Sequence, residues 1–372
     1  MIIDINVTST CNLACTYCSE GFECGLSTAF EENTSITLDD ITNYMAKISD
    51  PKKDIYFWGG EPFVNYNFCK GVINRFKKDK NISFFFYTNG IYLQKYMSEL
   101  VELTKELGDR LKFQISYDGK AVNDITRPDK KGNPSTAMIK ANYKAAQAAG
   151  LNVNIKSVIT APNFKYIYEA FRDVIEMDAN YFPTPDLYST LNAKQLQVHL
   201  DELKLGLQKI AKYIYTNNLP PERFGWFMQS RALCSAGINY TSIDLNGDIS
   251  PCHGCMYKDS HDHVMGNIND PALDFDKLIS EYSTMYQDAQ DLGEPLDCQS
   301  CDAQFCMKCN AASYEKSEKD TYIEKWADHG ANWQVCKVFK QNEVVHHALR
   351  SAQKKTPGGV PKSKTPIEIP VY

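Results

Sequence analysis

Cys11, Cys15 and Cys18 fall within eight residues, CNLACTYC, at a C-x3-C-x2-C spacing. Soft thiolates exclude magnesium and calcium and select zinc or an iron–sulfur cluster. Zinc favours C-x2–4-C pairs completed by a second pair or by histidines. Three thiolates on one tight loop instead suit three irons of a cubane 4Fe–4S cluster, with the fourth iron open. Taken alone, the loop admits both metals. A second feature is Gly59-Gly60-Glu61-Pro62, which ends an apolar run. Paired glycines let backbone groups approach a ligand closely, and Glu61 offers a carboxylate at a strand's C-terminal end, where β/α folds bind ligands. Two later runs end in Thr88-Asn89-Gly90 and Ser116-Tyr117-Asp118-Gly119, the latter followed by Asn123, Asp124 and Arg127. Asp118 by itself is equally readable as part of a helix-capping turn.

The remaining cysteines crowd the far end. Cys234, Gly247 and Cys252 stand at C-x12-G-x4-C, then come Cys255, Cys298, Cys301, Cys306, Cys309 and Cys336. Asp244-Leu245-Asn246-Gly247-Asp248 fits a hairpin turn between short strands, which would bring Cys234 and Cys252 together. Thiolates at this density repel one another unless metal neutralises them. Cys24 reads as a free thiol and Cys69, in a helical aromatic stretch, as core. His261 and His263 read as a surface turn.

These residues need elements to hold them. Ile2–Val7, Asp54–Trp58, Ile82–Tyr87, Leu111–Tyr117 and Val153–Ile159 read as strands, with Asn180–Phe182 a weaker sixth. Helical spacing lies between them. Thr37 with Asp40 predicts a capped helix start, and the alanine-rich stretch Thr136–Ala149 stops at Gly150. Strand–helix repetition predicts parallel β/α units, as a partial barrel or an open sheet. TNNLPPE at Thr216–Glu222 interrupts the pattern and places a boundary near Pro220.

The cluster loop with Tyr17, followed some forty residues later by GGEP, resembles the radical S-adenosylmethionine (radical SAM) superfamily. The resemblance implies an α/β fold, a partial (β/α)6 TIM-like barrel, with S-adenosylmethionine on the open iron and Gly59, Gly60, Glu61 and Pro62 beside its amino group. Reduction of the cluster would then yield a 5′-deoxyadenosyl radical. Ser116, Asp118 and Arg127 are similar to the S-x-D-G…H-D-x-x-R segment of peptide-modifying members, with Asn123 where their histidine stands. By this likeness Ser116 and Arg127 face the cofactor's ribose and carboxylate, with Asn89 also at the cofactor. The C-terminal cysteines resemble the SPASM domain, which implies two auxiliary 4Fe–4S clusters: Cys234, Cys252 and Cys309 on the first, Cys298, Cys301, Cys306 and Cys336 on the second. The spacing C-x2-C-x4-C-x2-C at Cys298–Cys309 departs from the family's C-x2-C-x5-C-x3-C. Either the first auxiliary cluster has an open iron or Cys255 completes it; an exposed spare thiol beside a cluster favours Cys255. His253 occupies the place of the aspartate base in sulfatase-maturating members. It reads either as a general base or as a hydrogen-bond donor to the cluster or backbone.

The expected division is a radical SAM barrel over residues 1–219, a SPASM domain with a β-hairpin over 220–345 and a mobile C-terminal extension over 346–372. The 372 residues carry 40 basic and 46 acidic side chains, with no basic block to meet a phosphate backbone. No run approaches the roughly 18 apolar residues of a membrane span, and no secretory signal opens the chain. The thirteen cysteines then belong to a reducing, cytoplasmic setting, where thiolates bind metal rather than pair. Three classes fit: a peptide or protein maturase, a radical SAM enzyme on a small metabolite, and a non-catalytic iron–sulfur or zinc protein. Two auxiliary clusters favour the first; His253 in the aspartate's place argues against formylglycine and the two clusters against epimerisation, which leaves a crosslink. The expected partners are a peptide or protein substrate and an external one-electron reductant such as flavodoxin or ferredoxin. With ten residues before Cys11, no leader-binding domain is expected ahead of the barrel, and recognition is expected at the barrel mouth, on the SPASM surface or on a separate leader-binding protein. Phe224, Trp226 and Phe227 would line a peptide channel or fill an interdomain core.

Overall fold

A computed structural model describes residues 1–18, 34–186, 193–220, 235–255 and 264–291, with the short segments 232–233, 307–308, 314–316 and 322–324. Six strands, β1 (Ile2–Asn6), β2 (Lys53–Trp58), β3 (Ile82–Thr88), β4 (Leu111–Ser116), β5 (Val153–Ile159) and β6 (Tyr181–Pro185), pair in parallel in chain order. A doubly wound sheet would reverse its order at a switch point. This one does not, and the partial (β/α)6 barrel is the architecture. The sixth strand is longer than the sequence suggests, because Pro183 and Pro185 lie on a strand that among the described residues pairs only with β5, where a missing N–H costs no ladder bond.

The helices between the strands are α1 (Leu38–Lys47), α2 (Tyr66–Phe76), α3 (Leu93–Leu107), the short α4 (Asn123–Thr126), α5 (Thr136–Ala148) and α6 (Ile167–Glu176). The expected capping box opens α1: the Thr37 hydroxyl accepts from the Asp40 N–H while Asp40 accepts from the Thr37 N–H. Gly150 closes α5 at φ +81°. One strand face packs against the helices through Ile3, Ile5, Ile55, Phe57, Phe84 and Phe86, all within one apolar core. Alternation turns the other face to the lumen. Register sets Asn6 beside Trp58, Tyr87 beside Gln114, and Ser116 beside Lys156.

After α7 (Ala193–Asn217) and β7 (Ala232–Leu233) comes a hairpin, β8 (Tyr240–Ile243) and β9 (Asp248–Ser250), with Gly247 at φ +89° in its turn. Strand β8 pairs in parallel with β1, Ile2 opposite Tyr240 and Ile5 opposite Ile243. The cysteine-rich part therefore begins as a continuation of the barrel sheet. Strand β10 (Gly266–Asn267) adds antiparallel to β9, and α8 (Phe275–Asp291) follows.

Candidate active site

The loop from Cys11 to Cys18 leaves β1 and is tied to the segment after α4. Leu13 bridges Asp129, the Ala14 N–H donates to Pro128 O at 2.8 Å, and the Thr16 N–H to Thr126 O at 2.9 Å. On its other side the loop meets the glycine pair. The Gly60 N–H donates to Thr8 O at 2.8 Å and the Glu61 N–H to Thr10 O at 2.9 Å. A Cβ on Gly60 would stand 2.3 Å from Thr10 O, and one on Gly59, at φ +131°, 2.3 Å from Thr8 O. Both glycines are thus required by close backbone approach.

Tyr17 sits between the second and third cysteines and anchors the loop from within. Its hydroxyl donates to Asp118 Oδ2 at 2.7 Å and accepts from Arg127 Nη1 at 2.6 Å. Asp118 is fully buried, and its carboxylate also accepts from the Thr126 hydroxyl at 2.7 Å and the Val158 N–H at 3.0 Å. The helix-capping alternative for Asp118 fails: its carboxylate crosses to the cluster loop. Asn123 pins the turn in its place, accepting from the Asp118 N–H and donating to Ser135 and Thr136.

Glu61 is wholly buried. Its carboxylate accepts from the Thr88 hydroxyl at 2.7 Å, the Asn89 N–H at 2.7 Å and the Phe63 N–H at 3.1 Å, the last capping the turn that begins at Pro62. Burial pushes this carboxyl up to about 7, against the lowering effect of its three donors. Asn89 carries the link onward, with Nδ2 2.7 Å from Asn12 Oδ1 and 3.7 Å from Cys11 Sγ.

Cys11, Cys15 and Cys18 are partly exposed. Burial, with Glu61 adding to it, pushes Cys11 up to about 12; burial pushes Cys15 to about 11 in spite of Arg127. Metal is what draws protons from such thiols. The surroundings fit the implied cofactors on two counts. The buried Arg127 keeps Nε without a hydrogen-bond partner among the described residues, as a guanidinium awaiting an anion does. Three thiols on one loop also present separate sulfurs to a cubane.

At the hairpin, Cys252 and Cys255 are buried with sulfurs 3.8 Å apart, and the Cys255 thiol and burial push Cys252 upward. Cys255 therefore lies beside Cys252, as a shared role requires. His253 turns toward the barrel. Its Nδ1 is 3.0 Å from Asp4 Oδ2 and 2.5 Å from the Tyr240 hydroxyl, with the ring against Trp58 at 5.2 Å between centroids. Asp4 is fully buried on β1 and also accepts from Tyr240 at 2.5 Å. Asp4, Tyr240 and Thr126 escape the motif reading. For Asp4 a signal exists: it is a lone acid in the apolar strand IIDIN. Lys156 is another, a lumen-facing ammonium beside Ser116 that burial pulls down to about 8. Cys69 is core, with its thiol 3.7 Å from Pro62 O. Cys24, Cys234, Cys298, Cys301, Cys306, Cys309, Cys336, Phe224, Trp226, Phe227, His261 and His263 lie outside the described residues.

Two family models match, the radical SAM superfamily over residues 5–177 and the SPASM iron–sulfur cluster-binding domain over 234–302. The chain carries a radical SAM domain and a SPASM domain. Its cofactors are accordingly S-adenosylmethionine and a 4Fe–4S cluster in the barrel, with auxiliary iron–sulfur clusters in the SPASM part. The chain is 28% identical over 221 residues to an uncharacterized protein of Methanocaldococcus jannaschii, covering 58% of this chain and 73% of that one. It is 21% identical over 352 residues to a serine-type anaerobic sulfatase-maturating enzyme of Bacteroides thetaiotaomicron, covering 82% and 80%. The solved structure of anSMEcpe with bound AdoMet and Cp18Cys peptide matches at a TM-score of 0.68 and 16% identity, covering 96% of this chain and all of that one. At that identity the likeness is one of fold. No helix among the described residues is long and apolar enough to cross a membrane.

Proposed function

We propose that this radical SAM/SPASM protein oxidatively modifies a ribosomally made peptide or protein, forming an intrapeptide crosslink. The observation that carries this reading is the β8–β1 pairing, by which His253, the neighbour of Cys252 in the chain, meets Asp4 and Trp58 at the lumen face of the barrel. A centre able to take an electron from the substrate then adjoins the place where hydrogen is removed.

Cys11, Cys15 and Cys18 would hold the radical-generating cluster. Tyr17, Gly59, Gly60, Glu61, Pro62, Asn89, Ser116, Asp118 and Arg127 form the cofactor's surroundings, and Arg127 meets the carboxylate. Cys234, Cys252, Cys255, Cys298, Cys301, Cys306, Cys309 and Cys336 serve the auxiliary clusters. When bound, these groups supply the one-electron chemistry: reductive cleavage of S-adenosylmethionine to a 5′-deoxyadenosyl radical, and an acceptor for the electron the substrate gives up. His253, oriented by Asp4, takes the proton. The substrate thus loses two hydrogens, one as an atom and one as proton plus electron. The barrel occupies residues 1–219, the SPASM domain 220–345 and an extension 346–372. A flavodoxin- or ferredoxin-type reductant supplies electrons in the cytoplasm.

Co-expression with short peptides from neighbouring reading frames tests this. The expected product has lost two hydrogens, lacks a hydrazide-reactive aldehyde and resists fragmentation between the joined residues. Formylglycine is the second reading, supported by the length over which the sulfatase-maturating relative aligns. Efficient aldehyde formation in a sulfatase-type peptide, with no neighbouring peptide losing hydrogen, would establish it instead. A peptide unchanged in mass but carrying solvent deuterium would indicate epimerisation.

A further inference from the structure

We infer that Asn89 sets the reduction potential of the radical-generating cluster by donating an N–H···S hydrogen bond to Cys11. The inference rests on the reading that Cys11, Cys15 and Cys18 hold that cluster. Three observations converge on Asn89. Its amide orientation is fixed, because Oδ1 accepts from the Ile91 N–H at 3.0 Å. Nδ2 must therefore face the loop, where one N–H meets Asn12 Oδ1 at 2.7 Å and the other meets Cys11 Sγ at 3.7 Å. Its backbone is fixed as well: the Asn89 N–H is held by buried Glu61, and Asn142 Nδ2 donates to Gly90 O and Ile91 O, both at 2.9 Å. Gly90, at φ +78° with a would-be Cβ 2.9 Å from Ile115 Cγ2, is what lets the chain turn here.

A side chain held at every polar atom and 4% exposed is built to position a donor. Cys11 Sγ receives a second N–H from Leu13 at 3.5 Å. Donors to cluster sulfurs stabilise the more negative, reduced state and raise the potential. One electron enters the cluster from an external reductant, and Asn89 makes that entry easier. Glu61 acts through Asn89, which gives this buried carboxylate a positioning role.

The experiment is an anaerobic redox titration of the cluster's electron paramagnetic resonance signal, without S-adenosylmethionine, using dithionite as reductant. Asn89→Leu and Asn89→Asp are compared with wild type at matched iron and sulfide content. Both variants should titrate at a more negative potential, Asn89→Asp further because it adds a negative charge beside the sulfur. A wild-type potential in fully loaded Asn89→Leu protein would overturn the inference. Should both variants fail to load, Asn12→Ser protein labelled with amide-15N asparagine decides. A hyperfine coupling from that nitrogen to the reduced cluster is expected, and its absence would overturn the inference equally. A wild-type protein with no reducible cluster would overturn the underlying reading of the loop, a result distinct from an unchanged potential in a loaded variant.

Discussion

The Glu61 carboxylate forms in an interior that favours its neutral state, so its charge carries a cost that depends on pH. Its pKa stands at about 7 against an ordinary 4.5. Stability from this group is greatest below the ordinary value, falls as pH climbs from about 4.5 to about 7, and levels off above. One unit is about 1.4 kcal/mol, so the full span is at most about 3.5 kcal/mol. Glu61→Gln removes the titration, but its amide nitrogen meets one of the N–H donors head-on. The variant should be clearly less stable than wild type at pH 5, with the gap narrowing by pH 8 in denaturant titrations. A gap independent of pH would show that Glu61 does not ionise in this window. Tyr17→Phe removes one hydroxyl that serves both Asp118 and Arg127. Hydrogen bonds to charged groups contribute about 1.5–3 kcal/mol, and a loss of that order is expected in the same assay, with reduced iron on the loop. Of these two residues only the types were legible in the sequence. That Glu61 faces inward to Asn89, and that Asp118 reaches back 101 positions to Tyr17, depends on pairing between distant strands.

The elements divide into those that sequence specifies locally and those that packing decides. Thr37 with Asp40 announces α1, and Thr37→Ala should cost about 1 kcal/mol with no change in cofactor cleavage; loss of cleavage would tie α1 to the site. The barrel strands were legible as β-branched and aromatic runs, and β2, β3 and β4 also end at glycine turns. Strand β6 was undersized in that reading because its prolines argue against any strand with two partners. The β8–β1 junction had no local signal, since a parallel pair separated by more than two hundred residues leaves no mark on either strand. The glycine pair belongs at this scale too. Gly60→Ala forces a Cβ into the Thr10 carbonyl, so the loop must shift. Overpacking of this kind costs about 1–3 kcal/mol. The thermal midpoint should fall, and iron should be lost from the first cluster while the SPASM part keeps its own.

At the scale of the whole molecule, one sheet joins a site that starts radical chemistry to a hairpin bearing thiols and an oriented imidazole. Separate roles follow for the two ends. Cys336→Ala should leave cleavage of S-adenosylmethionine largely intact while abolishing the modified peptide; full product from it would remove the electron-accepting role. Iron should reach about twelve atoms per chain if all three clusters form and about eight if two do, and stoichiometric zinc with negligible iron would contradict the assignment. The cysteine spacings made this division visible in the sequence, but the meeting of His253 with Asp4 could be seen only once β8 lay beside β1. The most direct test is 5′-deoxyadenosine released from S-adenosylmethionine by the anaerobically reconstituted, dithionite-reduced protein. Wild type should form it, and Cys11→Ala, Cys15→Ala and Cys18→Ala should not. Wild-type protein fully loaded with iron that yields none, or cysteine variants that yield as much, would contradict the account.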